Sequence, residues 1–195
     1  MLPRGPLARA ARAPRPRAAG APRGSALTLP IVRVYVGVGS NLGDRWANLA
    51  LAARALREAP RIAVVQASRV FDAAPLGPPQ PRYLNAALEL EVDVPAPALL
   101  GMLQEVEGRA GRVRTAVRWA ARTLDLDLLL YGDEVIRRPE LVVPHPAIAV
   151  RRFVLAPLAE LCPERTVPGT GRTVAQLLTL VPPEDLVPAG LYPGI

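Results

Sequence analysis

No lysine occurs anywhere in the 195 residues, so all 24 basic side chains are arginine. That absence excludes a Walker A phosphate loop, which needs a lysine after its glycine-rich turn. Any phosphate chemistry here has to rest on guanidinium groups, backbone N–H groups or metal. One histidine and one cysteine make a zinc site of the usual nitrogen and sulfur donors improbable. Cys162 has no second cysteine to bond, so nothing demands an oxidising compartment. It lies before Pro163 at the end of a helical pattern and reads as a packed thiol. No apolar run approaches the ~20 residues of a membrane span. Two Trp, four Tyr and two Phe are few for a protein that stacks nucleic-acid bases. The expectation is a cytoplasmic monomer with no membrane or nucleic-acid partner.

The formal charge of +7 is unevenly spread. Residues 1–30 hold Arg4, Arg9, Arg12, Arg15, Arg17 and Arg23 and no acid. The rest of the chain is close to neutral, which weakens the case for a basic binding surface. This Pro-, Ala- and Arg-rich tail reads as a disordered, dispensable extension. Residues 31–195 read as a single domain.

The body begins with "IVRVYVGVGS" (31–40), a β-branched run ending in a glycine-rich turn. A helix is expected from about Asp44 to Glu58, with Leu42, Trp46, Leu49, Ala53 and Leu56 on its apolar stripe. Residues 61–73 read as one strand and the proline-rich 74–82 as a loop. "YLNAALELEVDV" (83–94) alternates, which predicts an antiparallel strand with one wet face. A second helix runs from about Pro95 to Arg109, with Leu99, Leu100, Leu103 and Val106 inward. A basic loop (110–122) then leads into a leucine-rich strand, expected to be central. A hairpin through Gly132–Asp133, a short strand near 141–143 and two further helices complete the chain. The order β-α-β-β-α-β predicts an α+β, ferredoxin-like core, an antiparallel sheet with helices packed on it.

The strand "TLDLDLLLYG" raises the main chemical question. With side chains alternating, Asp125, Asp127, Leu129 and Tyr131 share one face and Leu124, Leu126, Leu128 and Leu130 the other. Two carboxylates roughly 7 Å apart at Cα repel unless something positive lies near. A solvated strand edge is the ordinary explanation of such a pair. The surrounding leucines and Thr123 favour a cleft instead, where hard oxygen ligands suit Mg²⁺ shared with a polyphosphate. Arg109, Arg112, Arg114, Arg118 and Arg122 precede the pair with no acid among them. A charge run is usually a solvated face, but guanidinium forks at this place match phosphate oxygens. "GVGSNLGD" (37–44) lacks G-x-G-x-x-G spacing and is weak on its own. His145 lies between Pro144 and Pro146, where structural and functional readings weigh about equally.

Four stretches then combine: "VGVGSNLGD", "PLGPPQPRYLNAALELE", "GRVRTAVRWAARTLDLDLLLYG" and "VPHPAIAVRRFVLAPLAEL". Over residues 31–165 they resemble 6-hydroxymethyl-7,8-dihydropterin pyrophosphokinases, folate-pathway enzymes moving pyrophosphate from ATP to a pterin alcohol. The resemblance implies that Asp125 and Asp127 bind two Mg²⁺ ions bridging the ATP phosphates. It implies phosphate contacts from Arg112 and Arg122, with Arg122 the better candidate for transition-state charge. Arg114 and Trp119 would position ATP, His145 and Arg151 would contact it, and Glu107 would line its site. Asn85 would bond the pterin edge, Tyr83 and Phe153 would flank the ring, and backbone at Leu76 and Gly77 would read its remaining polar atoms. Loops 72–82 and 110–122 would close over the substrates, and no general base stands out beyond the two aspartates. The chain departs from the family pattern at Ala120–Ala121, where Gly-Pro is usual, and at Ala73–Ala74, where Thr-Pro is usual. The rival readings are a two-metal nucleotidyltransferase and a nucleic-acid binder of the same fold. Tyr83, Asn85 and Phe153 weigh against the first, and the scarcity of aromatics against the second.

Overall fold

The β-branched run Val32–Ser40 forms β1, which buries Val34, Val36 and Val38 on one face and Tyr35 on the other. The computed structural model describes residues 29–75, 77–112 and 120–195. The extension at 1–28, Leu76, and residues 113–119, which include Arg114 and Trp119, lie outside the described residues. After β1, Asp44 caps helix α1 (Arg45–Glu58) by accepting the Ala47 N–H at 3.0 Å, a contact typically worth about 1 kcal/mol. Leu49, Ala53 and Leu56 face the core as expected. Leu42 and Trp46 do not, since each is 37% exposed.

Residues 61–73 form two strands rather than one, β2 (Ile62–Ala67) and β3 (Val70–Ala73). Ser68 makes the break. Its N–H donates to Ala87 O at 2.9 Å, and its Oγ accepts the Ala87 N–H at 2.9 Å. A side-chain oxygen thus stands in for the ladder carbonyl, and the backbone is free to bend. β4 (Tyr83–Val92) pairs with β1, β2 and β3. Its expected wet face is not wet over most of its length: Glu89 is 3% exposed, bonded by Arg33 Nε at 2.9 Å and Gln66 Nε2 at 2.6 Å. The helix at residues 152–161 covers that face, so its polar residues are not solvated there. Helix α2 (Ala96–Arg109) starts after Pro95, with Pro97 in its first turn where no N–H bond is lost. Leu99, Leu103 and Val106 are buried and Leu100 is half-buried.

The aspartate strand, β5 (Asp125–Tyr131), lies at one end of the sheet and is not central. The order is β10-β3-β4-β1-β5, where β10 is Leu186–Gly190, and β2 adds to β4. Its leucines are buried by helices on both faces instead of by a second neighbouring strand. The simple alternation also fails at one point. Val36 pairs with Leu128 and Tyr35 with Leu130, so Leu129 is an extra residue on β5. Beyond this bulge the faces swap: Leu130 joins Leu129 on the second face, and Tyr131 joins Leu126 and Leu128 in the first core.

Gly132 turns the chain, its N–H on Arg33 O at 2.9 Å. The strand that follows, β6 (Ile136–Arg138), does not fold back on β5 as expected. It pairs with β7 (Leu141–Val143) as a separate ribbon. Helix α3 (Arg152–Leu161), the ribbon β8 (Thr166–Val167) and β9 (Arg172–Thr173), and helix α4 (Val174–Leu180) follow. Thr173 and Gln176 form a capping box at α4. α3 and α4 bury Leu155, Leu158, Val174 and Leu177 with Tyr35, Leu129 and Leu130. Cys162 is buried at the end of α3, as its position suggested, and burial pushes its thiol up to about 11. α1 and α2 pack on the opposite face of the sheet. The whole is an α+β, ferredoxin-like arrangement with every strand pair antiparallel, plus a C-terminal flank that carried no sequence motif.

Candidate active site

Three cross-strand rows cross the second face of β4, β1 and β5. The first is Glu89, Tyr35 and Leu130, the second Ala87, Gly37 and Asp127, the third Asn85, Gly39 and Asp125. The first row lies under α3 and α4. Side chains then shrink along β1 from tyrosine to glycine, so the second and third rows form the floor of a cleft. Arg151, Phe153 and Val154 at the start of α3 line the cleft, together with Gln80 and Tyr83. A Cβ at Gly39 would stand 3.5 Å from Asn85 Oδ1 and 3.7 Å from Asp125 Cβ. The glycine-rich stretch read as weak evidence for nucleotide is therefore the floor between the two polar ends of the cleft.

Asp125 is held by two guanidinium groups, Arg112 Nη1 on Oδ1 at 2.6 Å and Arg122 Nη1 on Oδ2 at 2.5 Å. Arg112 also pairs with Glu107, which is 3% exposed and accepts the Leu126 N–H at 2.7 Å. Glu107 thus ties α2 to β5 and aims Arg112. Asp127 has no such ion pair among the described residues. Burial, and then the charge of Asp125, push its carboxyl up to about 7, against the pull of Arg122 and Arg151. A buried carboxyl beside a second one is a site that a cation would stabilise.

His145 is anchored by its N–H on Leu129 O at 3.0 Å. Its Nδ1 accepts the Ala147 N–H at 3.2 Å, which leaves the proton of the neutral ring on Nε2. Burial and then Arg151 lower its pKa, so the neutral ring is favoured. The Arg151 guanidinium lies 5.7 Å from the Phe153 ring centroid. Asn85 Nδ2 is buried with no hydrogen-bond partner among the described residues, an orphan donor at the cleft floor. Gly77 takes φ +96 in the loop before β4.

Reasoning from sequence missed Gly37, Gly39, Asn41 and Gln80 as members of this site. The glycines could have been found from their register opposite the aspartates. Asn41 and Gln80 meet only in three dimensions.

The model of the 7,8-dihydro-6-hydroxymethylpterin-pyrophosphokinase family matches residues 35–163. The chain belongs to this family. A 2-amino-4-hydroxy-6-hydroxymethyldihydropteridine pyrophosphokinase of Pseudomonas aeruginosa is 41% identical over 157 residues, covering 80% of this chain and 96% of that one. The Synechocystis sp. enzyme of the same name is 40% identical over 146 residues, covering 75% and 74%. Among solved structures, a Plasmodium falciparum HPPK-DHPS superposes with a TM-score of 0.62 at 12% identity, covering 80% of this chain. That likeness speaks to fold, and the chain spans only 46% of the longer protein. This pyrophosphokinase transfers pyrophosphate from ATP to 6-hydroxymethyl-7,8-dihydropterin in folate biosynthesis.

The residues suit Mg²⁺ rather than zinc. Among the described residues no three His, Cys, Asp or Glu side chains converge. The protein offers two carboxylates at a cleft, and Mg²⁺ is the cation that completes its shell with phosphate oxygens and water.

Proposed function

We propose that Asp125 and Asp127 hold two Mg²⁺ ions shared with the ATP phosphates, and that the hydroxymethyl oxygen of the pterin attacks the β-phosphorus in line, with AMP leaving. The observation that carries this reading is the pairing of both aspartates with glycines on one cleft floor, with two arginines on Asp125. Bound there, the ions would offset the charge gathered on the transferred phosphates. Transfer of this kind asks for positioning and charge neutralisation more than for a protein nucleophile.

The roles divide along the cleft. Arg112 and Arg122 turn from Asp125 to the phosphates, and Arg122 follows the charge of the transition state. Glu107 acts from behind by aiming Arg112. His145 donates from Nε2 to the nucleotide, Arg151 contacts it, and Arg114 and Trp119 position ATP from the arginine-rich segment. At the far end Asn85 gives its unused amide donor to the pterin edge, Tyr83 and Phe153 flank the ring, and backbone near Leu76 and Gly77 meets its other polar atoms. The enzyme is taken to work as a cytoplasmic monomer on small molecules alone. The near-neutral body of the chain supports the last point.

Identifying the nucleotide released from Mg-ATP tests the chemistry. AMP formed only when the pterin is present is the expected product, and ADP would overturn the assignment. The metal count is read separately, by titrating Mn²⁺ against its spin resonance with an ATP analogue carrying a methylene between the α- and β-phosphorus. Two ions per chain are expected. One or none in wild-type protein would overturn the two-ion reading.

A further inference from the structure

Asn41 follows β1, is 2% exposed, and uses both ends of its side-chain amide. The Arg122 N–H donates to its Oδ1 at 2.7 Å. Its Nδ2 donates to Gln80 Oε1 at 3.0 Å and to Pro81 O at 3.1 Å. The Asn41 and Leu42 N–H groups both donate to Arg122 O, at 3.0 and 3.1 Å. The Arg122 backbone is therefore gripped at both its N–H and its carbonyl by one two-residue turn. The same side chain reaches the loop before β4, where Gln80 Oε1 also accepts the Tyr83 hydroxyl at 3.4 Å.

Arg122, Gln80 and Tyr83 all line the cleft. Asn41 bonds both the Arg122 backbone and the segment that carries Gln80. We infer that Asn41 is a positioning residue that couples the two substrate sites, so that setting Arg122 on the nucleotide phosphates also sets the loop of Gln80 and Tyr83 on the pterin ring. The inference rests on the assignment of Arg122 to ATP and of Tyr83 to the pterin. A side-chain amide suits the task because it offers an acceptor to one partner and two donors to the other. Aspartate, of the same shape, keeps the acceptor for the Arg122 N–H. It turns the donor into a second acceptor facing the oxygens of Gln80 and Pro81, which breaks one half of the joint and spares the other.

The test is a binding cycle by calorimetry. Affinity for 6-hydroxymethyl-7,8-dihydropterin is measured with and without the Mg²⁺ complex of the methylene ATP analogue, in wild type, Asn41→Asp and Gln80→Ala. Wild type is expected to bind the pterin at least ten-fold tighter with the analogue present, and each variant to reduce that ratio to about two-fold or less. Both variants are expected to keep their affinity for the analogue alone within a few-fold. A merely structural Asn41 would lower thermal stability and both affinities while leaving the ratio unchanged, and that result would overturn the inference. A wild-type ratio near one would overturn it as well. Gln80→Ala removes the side-chain acceptor of the Asn41 Nδ2, leaving Pro81 O, and changes neither Asn41 nor Arg122, so it carries the test if Asn41→Asp fails to fold. Wild-type protein that binds the analogue but no pterin under any condition would overturn the pterin assignment, and this inference with it.

Discussion

Asn85 and Asp125 stand in one cross-strand row, two strands apart, with only Gly39 between them. On the proposed assignment Asn85 would meet the pterin and Asp125 the metal. On that assignment the hydroxymethyl group would reach the β-phosphorus between them, in the space that the missing side chain at Gly39 leaves.

Gly39→Ala tests that point. The added methyl meets Asn85 Oδ1 at 3.5 Å, Asp125 Cβ at 3.7 Å and Tyr83 Cδ1 at 3.9 Å, all ordinary contacts. The fold is expected to accept it, and substrate binding is expected not to. The expected result is an unfolding midpoint near that of wild type with kcat/KM for the pterin at least ten-fold lower, about 1.4 kcal/mol or more. Unchanged steady-state kinetics would show that the floor at Gly39 does not approach the reacting groups.

Asn85→Ala separates stability from function at the same row. Its Nδ2 is buried with no partner among the described residues, and such a donor carries an uncompensated desolvation cost of about 1–3 kcal/mol. Removing it is expected to leave the unfolding free energy unchanged within about 0.5 kcal/mol, or to raise it. Pterin affinity should fall by roughly 10- to 100-fold, the loss of a good hydrogen bond in a buried site. Urea unfolding and calorimetric titration read the two quantities. A large loss of stability would mean that the amide serves the fold instead.

How far the sequence could be read follows from the range of each interaction. The alternation of β4 and the spacing of α1 and α2 are local patterns, and the element order followed from them. The Ser68 break was invisible because it depends on a hydroxyl meeting Ala87 across the sheet. Glu89 looked solvated because the helix covering it comes some 60 residues later in the chain. The leucines of β5 looked central because burial by two helices and burial between two strands select the same residue types. At the site, Asp125, Asp127 and the arginines announced themselves by charge. Gly39 acquires meaning only from its register with Asp125, and Asn41 only from contact with Arg122, which is 81 positions away.

Asp127 gives the metal-free protein a pH dependence of definite sign. Its folded pKa of about 7 lies above the ordinary 3.8, because burial and Asp125 disfavour the charged form. The group's favourable contribution is therefore complete below about pH 4 and is lost as pH rises through 7. Asp127→Asn has no charge to bury. The metal-free variant is expected to match wild type near pH 4 and to exceed it at pH 8, by on the order of a few kcal/mol at about 1.4 kcal/mol per pKa unit. Urea unfolding at pH 4, 6 and 8 checks this, and a gap independent of pH would contradict it. The same variant should lose Mg²⁺-dependent turnover, so the more stable protein is the inactive one.

Arg122→Lys asks whether geometry or charge matters at the phosphates. The Arg122 backbone is fixed by Asn41 and Leu42, and its Nη1 lies 2.5 Å from Asp125 Oδ2. On the proposed assignment the guanidinium would pass from carboxylate to phosphate by side-chain rotation, with its backbone held. Lysine keeps the positive charge but offers a point donor in place of a planar fork. A contact made mainly in the transition state should show as a loss in kcat with KM for ATP within a few-fold of wild type. The expected drop is about 100- to 1,000-fold, about 2.7–4 kcal/mol, the usual cost of removing one donor aimed at developing charge. Arg122→Ala should fall at least as far. If lysine restores turnover to within three-fold of wild type, a point charge suffices, and Arg122 serves to bind ATP rather than to stabilise the transferring group.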